Sequence, residues 1–340
     1  MTALAPYITD APLSEAEAEA AIGAILDGGA GDADIAAFLT HLAQRGEAVS
    51  EIVGAARALR ARAQTIQAPP GAVDCCGTGG DGAHTLNIST AVAFILAGCG
   101  VPVAKHGGRA ASSKCGAADV LEALGVRLDV PRAVQERALR GVGFAFLFAP
   151  AHHAAMARVA PVRRALGFRT LFNLIGPLAN PAGTKHQLLG VFERAWCMPM
   201  AQALAALGSQ AAWVVHGTDN SGSQGLDEVS VSGPTHVAML AGGRVTEALL
   251  TPADFGLPVH APAALAGGDA PHNAAALAAL LEGAGGAYRD CALAGAAAAL
   301  VLSGRAADLG AGVAMAREAL ETGAAKRVLE AYRALTQGGG

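Results

Sequence analysis

The chain has few charged and few aromatic side chains. Of its 340 residues, 15% are charged and 4% are aromatic, and 28 acidic residues outnumber 24 lysines and arginines. The resulting net charge of −4 provides no broad cationic surface for polynucleotides or anionic membranes. Nucleic acid is therefore not an expected partner, and any site for an anion must be local.

Long apolar runs and paired cysteine motifs are also missing. The most apolar stretch near the end, residues 291–302, contains Gly295 and is shorter than the roughly 20 residues that span a bilayer. The first residues show no basic segment followed by an apolar core, and the six cysteines form no C-x-x-C pair. We expect a cytoplasmic protein with reduced thiols and no membrane partner.

The amino-terminal part is typical of a small helical domain. A capping box, Ser14-Glu15-Ala16-Glu17, opens the first helix. Residues 67–71, Gln-Ala-Pro-Pro-Gly, break the helical pattern and indicate a linker and hinge. The predicted helices run from Ser14 to Gly28, from Asp34 to Arg45 and from Ser50 to about Gln64.

Beyond residue 72, apolar strands alternate with helices, which predicts a mainly parallel sheet covered on both faces. Strand signals vanish between residues 150 and 181, and helices dominate again after residue 273. We therefore predict an α/β fold with a helical domain over 1–68, joined by helices from about 150–184, and a larger α/β domain over 72–149 and 185–337. Strands are predicted over 101–104, 126–130, 144–148, 188–192 and 212–215, and helices over 132–141 and 199–207.

The most informative stretch is a glycine-rich loop after an apolar strand. Residues 74–82 read Asp-Cys-Cys-Gly-Thr-Gly-Gly-Asp-Gly and lead through Asn87 into an apolar helix. Backbone amides in such a loop can approach phosphate oxygens with no Cβ in the way, and the helix N-terminus adds partial positive charge. A phosphorylated ligand is expected. The residue order matches neither a P-loop nor the G-x-G-x-x-G fingerprint, so the loop alone leaves the compound open.

Five separate motifs follow one another along the chain: the block 77–90, Lys105-His106-Gly107 followed by Arg109, the segment 118–125, Phe172-Asn173 with Gly176-Pro177-Leu178, and Asp227-Glu228. In this order they resemble the motifs of the anthranilate phosphoribosyltransferases, and the similarity runs from about residue 14 to residue 335. The resemblance implies a nucleoside phosphorylase/phosphoribosyltransferase-like fold, and transfer of the phosphoribosyl group of phosphoribosyl pyrophosphate (PRPP) to anthranilate in tryptophan biosynthesis. It also implies a homodimer formed through the helical domain.

The chemistry of the donor fits these residues. Loop amides, small hydroxyls and the Lys105 ammonium could bind phosphate oxygens, whereas Asn87 and Asp81 suit ribose hydroxyls or the loop's own backbone. Capping of the following helix is the alternative role for Asn87, Ser89 and Thr90. The resemblance implies PRPP binding by Gly77, Gly79, Gly80, Asp81, Thr85, Asn87, Ile88, Ser89, Thr90, Lys105, His106, Gly107, Gly108, Arg109, Ala110, Ala111, Ser112, Ser113 and Ala117.

An adjacent acidic pair, Asp227 and Glu228, follows an apolar strand and a polar loop. Neighbouring side chains on a strand point to opposite faces, so the pair can serve one site only from a loop, or by binding two ions; the resemblance implies the second arrangement. Mg²⁺ prefers oxygen ligands and bridges to substrate phosphates. The two carboxylates and Ser89 are therefore the expected ligands of Mg²⁺, with two ions expected.

The helical insertion carries four arginines that could receive the carboxylate of the acceptor, at positions 158, 163, 164 and 169. The resemblance selects Arg163, whose planar guanidinium suits a carboxylate, and places the anthranilate beside Gly77, Gly108, His106 and His153. No residue is needed as nucleophile or strong base, because an aromatic amine is already neutral at pH 7.

The sequence departs from the family's pattern at two positions. Gly108 stands where an Asn usually contacts the acceptor, and His84 stands where small residues are common. The first departure bears on the identity of the acceptor. Two alternatives share the fold: a pyrimidine nucleoside phosphorylase-like enzyme, which would not need Asp227-Glu228, and a non-catalytic nucleic-acid-binding relative, which would need a basic surface.

Overall fold

A computed structural model of the protein describes residues 3–110, 114–222 and 225–338, so Ala111, Ser112 and Ser113 lie outside the described part. The amino-terminal region is helical, as predicted, and the capping box is present, because the Ser14 hydroxyl accepts a hydrogen bond from the Glu17 amide. Its three helices are α1 (Glu15–Leu26), α2 (Asp32–Arg45) and α3 (Val49–Ala61).

A crossing segment after residue 148 returns to these helices. Helix α2 contacts α8, and α3 contacts α9, while the Arg60 Nε donates to the Leu178 carbonyl at 2.6 Å. Apolar side chains such as Ile22, Phe38 and Phe172 share one buried core. The absence of strands in this region agrees with the prediction. The segment contains α7 (Ala149–His152), α8 (Ala160–Leu166) and α9 (Leu171–Ile175).

The larger part of the protein is built on one eight-stranded sheet in the order β3-β2-β1-β4-β5-β7-β8, with β6 beside β5. The pairings among β1 to β5 are parallel and those of β6, β7 and β8 are antiparallel, which confirms the mainly parallel sheet. The strands are β1 (Val73–Gly77), β2 (Val103–Gly107), β3 (Phe144–Phe148), β4 (His186–Gly190), β5 (Ala211–Thr218), β6 (Gly225–Leu226), β7 (Thr235–Ala241) and β8 (Arg244–Leu250).

Helices cover both faces of the sheet. One face packs against α4 and the carboxyl-terminal helices in a core that includes Phe94, Phe144 and Tyr332. The other face packs against α10, whose buried residues belong to the same core as the amino-terminal helices. The remaining helices are α4 (Ile88–Gly98), α5 (Ala117–Ala123), α6 (Arg132–Gly141), α10 (Cys197–Ala206), α11 (Ala270–Leu281), α12 (Ala287–Leu302), α13 (Leu309–Glu321) and α14 (Ala324–Gly338).

Two strand predictions need correction. The segment 126–130 forms no strand, because the Val126 amide closes the end of α5 on the Leu121 carbonyl and Pro131 follows immediately. The strand predicted over 101–104 lies instead at Val103–Gly107, since Pro102 cannot donate to the ladder. The antiparallel pair β7 and β8 was not predicted.

Two of the expected absences can be examined in the structure. None of the helices in the described ranges is long and apolar enough to cross a membrane. The six cysteines all lie within the described residues and form no disulfide.

Candidate active site

The carboxyl ends of β1, β2 and β4 meet beside a cavity of about 770 Å³. Ligands bind in this position in open α/β sheets, because the loops after parallel strands converge there. The glycine loop after β1, the start of α4, the end of β2 and the acidic pair all border it. Of the predicted residues, its lining contains Gly77, Gly79, Gly80, Asp81, Thr85, Asn87, Ile88, Ser89, Lys105, His106, Gly107, Gly108, Arg109, Ala110, Ala117, Asp227 and Glu228.

The loop of residues 77–84 adopts a backbone that only glycine takes up easily. Gly79, Gly80 and Gly82 have φ of 69°, 78° and 76°, in the left-handed region that is costly for other residues. His84 has φ of 49°, and its carbonyl accepts a 2.8 Å hydrogen bond from Gly267. The loop therefore leaves its amides free of Cβ atoms on the side that an anion would approach.

Lys105 is almost fully buried and ties the two sides of the donor site together. Its Nζ donates to the Cys75 carbonyl at 2.6 Å and to the Ser89 Oγ at 3.1 Å. These bonds hold the end of β1 against the first turn of α4. The ammonium thus lies in the cavity wall beside Ser89, where its charge also favours nearby anions.

Asn87 occupies the position before α4, but its side chain makes no capping bond. Its Oδ1 accepts from the Asn273 Nδ2 at 2.9 Å, and its Nδ2 donates to the Cys115 carbonyl at 3.2 Å. The Tyr288 hydroxyl donates to its backbone carbonyl. The side chain of Asn87 therefore joins the start of α4 to α11 and to the segment of Cys115, which differs from the capping alternative.

Asp227 and Glu228 lie in a loop after β6, which is one of the two arrangements that their adjacency allows. Asp227 Oδ2 accepts from the Gly79 amide at 2.7 Å, and Glu228 Oε1 accepts from the Ser89 amide at 2.8 Å. Burial raises the pKa of Glu228 to about 7, against the opposing charge of Lys105. Burial, with Asp81 and Glu228 nearby, raises the pKa of Asp227 well above its usual range.

The oxygen atoms of Asp227, Glu228 and Ser89 could serve as ligands of a magnesium ion that is shared with a phosphorylated substrate. Carboxylate and hydroxyl oxygens are the ligands that Mg²⁺ prefers, and it usually takes only one or two carboxylates beside water and phosphate oxygens. After burial, the neighbouring carboxylates of Asp81 and Glu228 contribute most to raising the pKa of Asp227, and a cation bound among the three would offset their mutual repulsion. In the described ranges no three His, Cys, Asp or Glu side chains are arranged to hold a metal, so substrate oxygens would complete the coordination.

Two glycines at the strand ends make room for Asp227. Gly77 and Gly190 are register partners across β1 and β4. A Cβ on Gly77 would lie 2.3 Å from the Asp227 Oδ2, and a Cβ on Gly190 would lie 1.5 Å from the Asp227 carbonyl oxygen. The acidic pair can therefore reach the glycine loop only because both strands end in glycine. Gly190 was not identified from the sequence.

Some of the residues predicted to bind the acceptor line the cavity, and others do not. His106, Gly77 and Gly108 line the cavity, whereas His153 and Arg163 do not. The rings of His106 and His153 nevertheless lie 5.1 Å apart in an edge-to-face arrangement. Among the described residues, a Cβ on Gly108 would meet no atom within 4 Å, and the φ of Gly108 is not positive, so the described surroundings would accommodate a side chain there.

Burial lowers the pKa of both histidines, with a smaller contribution from the neighbouring histidines. Both rings are therefore neutral at pH 7. Arg163 lies on α8 with its guanidinium 6.0 Å from the centre of the Phe172 ring, and burial lowers its pKa as well. Within the described residues no carboxylate forms a salt bridge with Arg163, so its charge is available to an anion.

Two further predicted donor residues have other surroundings. Thr90 is fully buried in α4, with no hydrogen-bond partner for its hydroxyl, and does not line the cavity. Arg109 lines the cavity but forms hydrogen bonds with Asp119 and Glu122. These bonds, first with Glu122 and then with Asp119, hold its pKa above the usual range. Its charge is therefore already partly neutralised by neighbouring carboxylates.

The cavity lining also contains Phe168 and Asn173, to which the sequence analysis gave no role, and Arg169, which it named only as one of four arginines that could receive the carboxylate of the acceptor. Phe168 is 44% exposed at its edge, and Arg169 and Asn173 follow on the same segment. Asn273 is buried and supports Asn87 from α11. In the sequence, Asn273 is distinguished only as a single amide in a helix otherwise rich in Ala and Leu. Arg169 is distinguished only by the nearby Gly167 and Thr170, which mark a break between two helices.

Comparisons with known proteins agree with this geometry. Residues 69–326 match the model of the α/β domain of a glycosyl transferase family, and residues 2–63 match the model of its helical bundle domain. The chain is 55% identical to the anthranilate phosphoribosyltransferase of Rhodospirillum rubrum, covering 96% of this chain and 92% of that one. It is 52% identical to the enzyme of the same name from Rhizobium meliloti, covering 97% of each.

Solved structures of the same enzyme are also similar. The one from Thermus thermophilus has a TM-score of 0.93 and 42% identity, covering 99% of this chain and all of that chain. The Saccharomyces cerevisiae enzyme in complex with PRPP and Mg has a TM-score of 0.85 and 29% identity, covering 96% and 94% of the two chains.

Proposed function

The chain belongs to the anthranilate phosphoribosyltransferase family, and we propose that the cavity at the strand ends is where its reaction takes place. The enzyme transfers the phosphoribosyl group of PRPP to anthranilate, giving N-(5-phosphoribosyl)anthranilate and pyrophosphate in tryptophan biosynthesis. One observation carries the assignment of the site. Two partly buried carboxylates, Asp227 and Glu228, contact the amides of the glycine loop and of the first turn of α4.

The donor is proposed to lie along these two segments. The amides of Gly79 and Ser89 already donate to Asp227 and Glu228, so other backbone N–H groups of the glycine loop and of the start of α4 would face the phosphates, while Lys105 adds a fixed positive charge beside Ser89. Ala111, Ser112 and Ser113 are proposed to contact the donor as well. This half of the site would bind PRPP mainly through the backbone, and it has no group that needs to act as a nucleophile.

Mg²⁺ is proposed as the cofactor, held by Asp227, Glu228 and the Ser89 hydroxyl, and two ions are proposed. When bound, it would neutralise charge on the pyrophosphate and so make it a better leaving group. The residues of this chain hold the donor in place and keep the reacting carbon facing the acceptor. The presence of Mg together with PRPP in the yeast relative supports this proposal.

The acceptor is proposed to lie between the end of β2 and the crossing helices. The neutral rings of His106 and His153 would contact the aromatic ring of anthranilate, and Arg163 would receive its carboxylate. Arg163 does not line the cavity itself, so its side chain would have to extend from α8 to reach the carboxylate. The amine of anthranilate carries a lone pair at pH 7, so positioning is sufficient for attack on the ribosyl carbon.

A homodimer through the amino-terminal helices is proposed as the assembly. Among the exposed large apolar side chains of the described residues, only Ile8 belongs to that region, and the exposed residues of α1 are Ala16, Glu17 and Ala20. Close packing between two copies would therefore rest on small side chains. Light scattering at micromolar concentration should give twice the mass of the chain, and a monomer would contradict the proposal.

The function is tested by the loss of anthranilate fluorescence. We expect the signal to fall only when PRPP, Mg²⁺ and the enzyme are all present, and pyrophosphate to appear in equal amount. A parallel reaction with uridine or thymidine and inorganic phosphate should release no free base. Release of base there, without turnover of anthranilate, would replace the proposed function with that of a nucleoside phosphorylase.

A further inference from the structure

We propose that Arg169 is a positioning residue that holds the glycine loop in its donor-binding conformation and links that loop to the crossing helices. The inference rests on the proposed function, because it concerns how the same site receives PRPP. Arg169 lies between α8 and α9, in the segment that joins the helical region to the sheet. It also lines the cavity.

Three contacts fix the guanidinium of Arg169. Its Nη2 donates to the Gly80 carbonyl, and its Nη1 donates to the Glu193 carboxylate at 3.2 Å. Its central carbon lies 4.2 Å from the centre of the Phe192 ring, within the range of a cation–π interaction. One side chain therefore joins the crossing segment, the glycine loop and the segment after β4.

The glycine loop needs such a contact because its own residues restrain it weakly. Glycine has the largest conformational freedom of all residues, and fixing one residue costs about 1–2 kcal/mol. Within a planar peptide unit the C=O and N–H groups point in opposite directions. Holding the Gly80 carbonyl towards Arg169 therefore turns the Asp81 amide away from Arg169. Arg169 selects one orientation of this peptide plane, which would otherwise have to be selected when the donor binds.

Direct binding of a phosphate by Arg169 is a different role with different consequences. The guanidinium already has an anionic partner in Glu193 and an aromatic face in Phe192, so these two residues would compete with a phosphate for Arg169. If Arg169 acts by positioning the loop, the same two residues assist it. Removing the Glu193 charge should therefore raise the KM for PRPP if Arg169 positions the loop, and lower it if Arg169 binds a phosphate directly.

The test measures kcat and the KM of both substrates for Arg169→Lys, Glu193→Gln and Phe192→Leu. Arg164→Lys serves as the matched control, since Arg164 is an exposed arginine of the preceding helix. A lysine has no planar guanidinium, so it cannot donate to both acceptors and stack on the Phe192 ring at the same time. We expect Arg169→Lys to raise the KM for PRPP about tenfold, as for one lost charge-assisted hydrogen bond, with the KM for anthranilate and kcat at saturating PRPP within about threefold of wild type.

Glu193→Gln and Phe192→Leu should each raise the KM for PRPP two- to fivefold. Phe192→Leu should add little in the Arg169→Lys background, because both changes act through one contact. Arg164→Lys should match wild type. A lower KM for PRPP in Glu193→Gln would show direct phosphate binding, and an unchanged KM in a folded Arg169→Lys enzyme would also overturn the proposal. Melting temperatures establish folding for each variant, and an inactive wild-type enzyme would overturn the proposed function instead.

Discussion

Replacing Gly190 with alanine tests how closely the acidic pair is fitted to the sheet. The added Cβ would lie 1.5 Å from the Asp227 carbonyl oxygen, and real Cβ atoms keep at least 3.0 Å from such neighbours. The two backbones must therefore separate by about 1.5 Å at this point. Strand β4 pairs with β1 and β5 on its two sides, so the loop that carries Asp227 should move rather than the strand.

A displacement of this size is large for a magnesium ligand. Mg²⁺ holds its oxygens at about 2.0–2.1 Å in nearly ideal octahedral geometry, and even indirect disturbance of metal ligands weakens binding by about 10–100-fold. We expect Gly190→Ala to lower the affinity for Mg²⁺, in the presence of PRPP, by about 100-fold or more. Magnesium titration of the fluorescence assay measures this change, and calorimetric titration of Mn²⁺ in the presence of PRPP measures it without turnover.

Two matched glycine variants separate this effect from a general loss of stability. Gly141 ends α6, and in the part of the chain that the structure describes a Cβ there would meet no atom within 4 Å, so Gly141→Ala should leave the metal dependence unchanged. Gly77→Ala places a Cβ 2.3 Å from the Asp227 Oδ2, which a side chain can partly avoid by rotation, and should give an intermediate loss. A folded Gly190→Ala enzyme whose Mg²⁺ dependence stays within threefold of wild type would refute the reasoning.

Three further predictions follow from the site. Asp227→Asn combined with Glu228→Gln should abolish turnover at ordinary Mg²⁺ without unfolding the protein, because the charge of the pyrophosphate would no longer be neutralised; activity within a few-fold of wild type would contradict the metal assignment. Gly108→Asn should lower the KM for anthranilate several-fold and leave that for PRPP unchanged, since one hydrogen bond contributes about 0.5–1.5 kcal/mol and a side chain has space there; equal or weaker anthranilate binding would contradict it. Burial lowers the pKa of His153 to about 4, so between about pH 6.5 and 4 the unfolded chain binds a proton that the folded protein does not. The free energy of unfolding should therefore decrease as the pH is lowered from about 6.5 to about 4. His153→Gln should make that decrease smaller by about 1–3 kcal/mol in urea titrations, and an identical pH dependence in both proteins would contradict the prediction.

The elements that could be predicted from sequence are those with local signals. The first helix starts at Ser14 because its hydroxyl and Glu17 satisfy each other's amides, which four consecutive residues are enough to specify. The segment 126–130 also looks like a strand locally. Whether such a run joins a sheet depends on a free edge beside it, and here the chain has just left α5 through Gly125, with φ of 83°. That backbone turn is set by the helix end and cannot be predicted from the apolar pattern.

The unpredicted parts of the site depend on contacts between distant residues. Gly190 matters because the backbone of Asp227 passes over it, and Asn273 matters because it meets Asn87. Neither pair is close in sequence, and a glycine at a strand end or an amide in a helix has many unrelated explanations. The Asp227-Glu228 pair was recognised only through the neighbouring motifs that resemble a known family. Local chemistry alone would have placed it on the surface.

The two proposed halves of the site differ in what would hold their ligands, and this difference should determine how each tolerates change. The proposed donor half consists mainly of backbone whose position depends on glycines with positive φ and on strand ends that admit no Cβ. A single substitution there should move the backbone and impair PRPP binding. The proposed acceptor half consists of side chains around Gly108, where an added Cβ would meet no atom of the described residues within 4 Å. Substitutions there should change contacts without moving the backbone, so we expect the choice of aromatic amine to vary more readily than the transferred group.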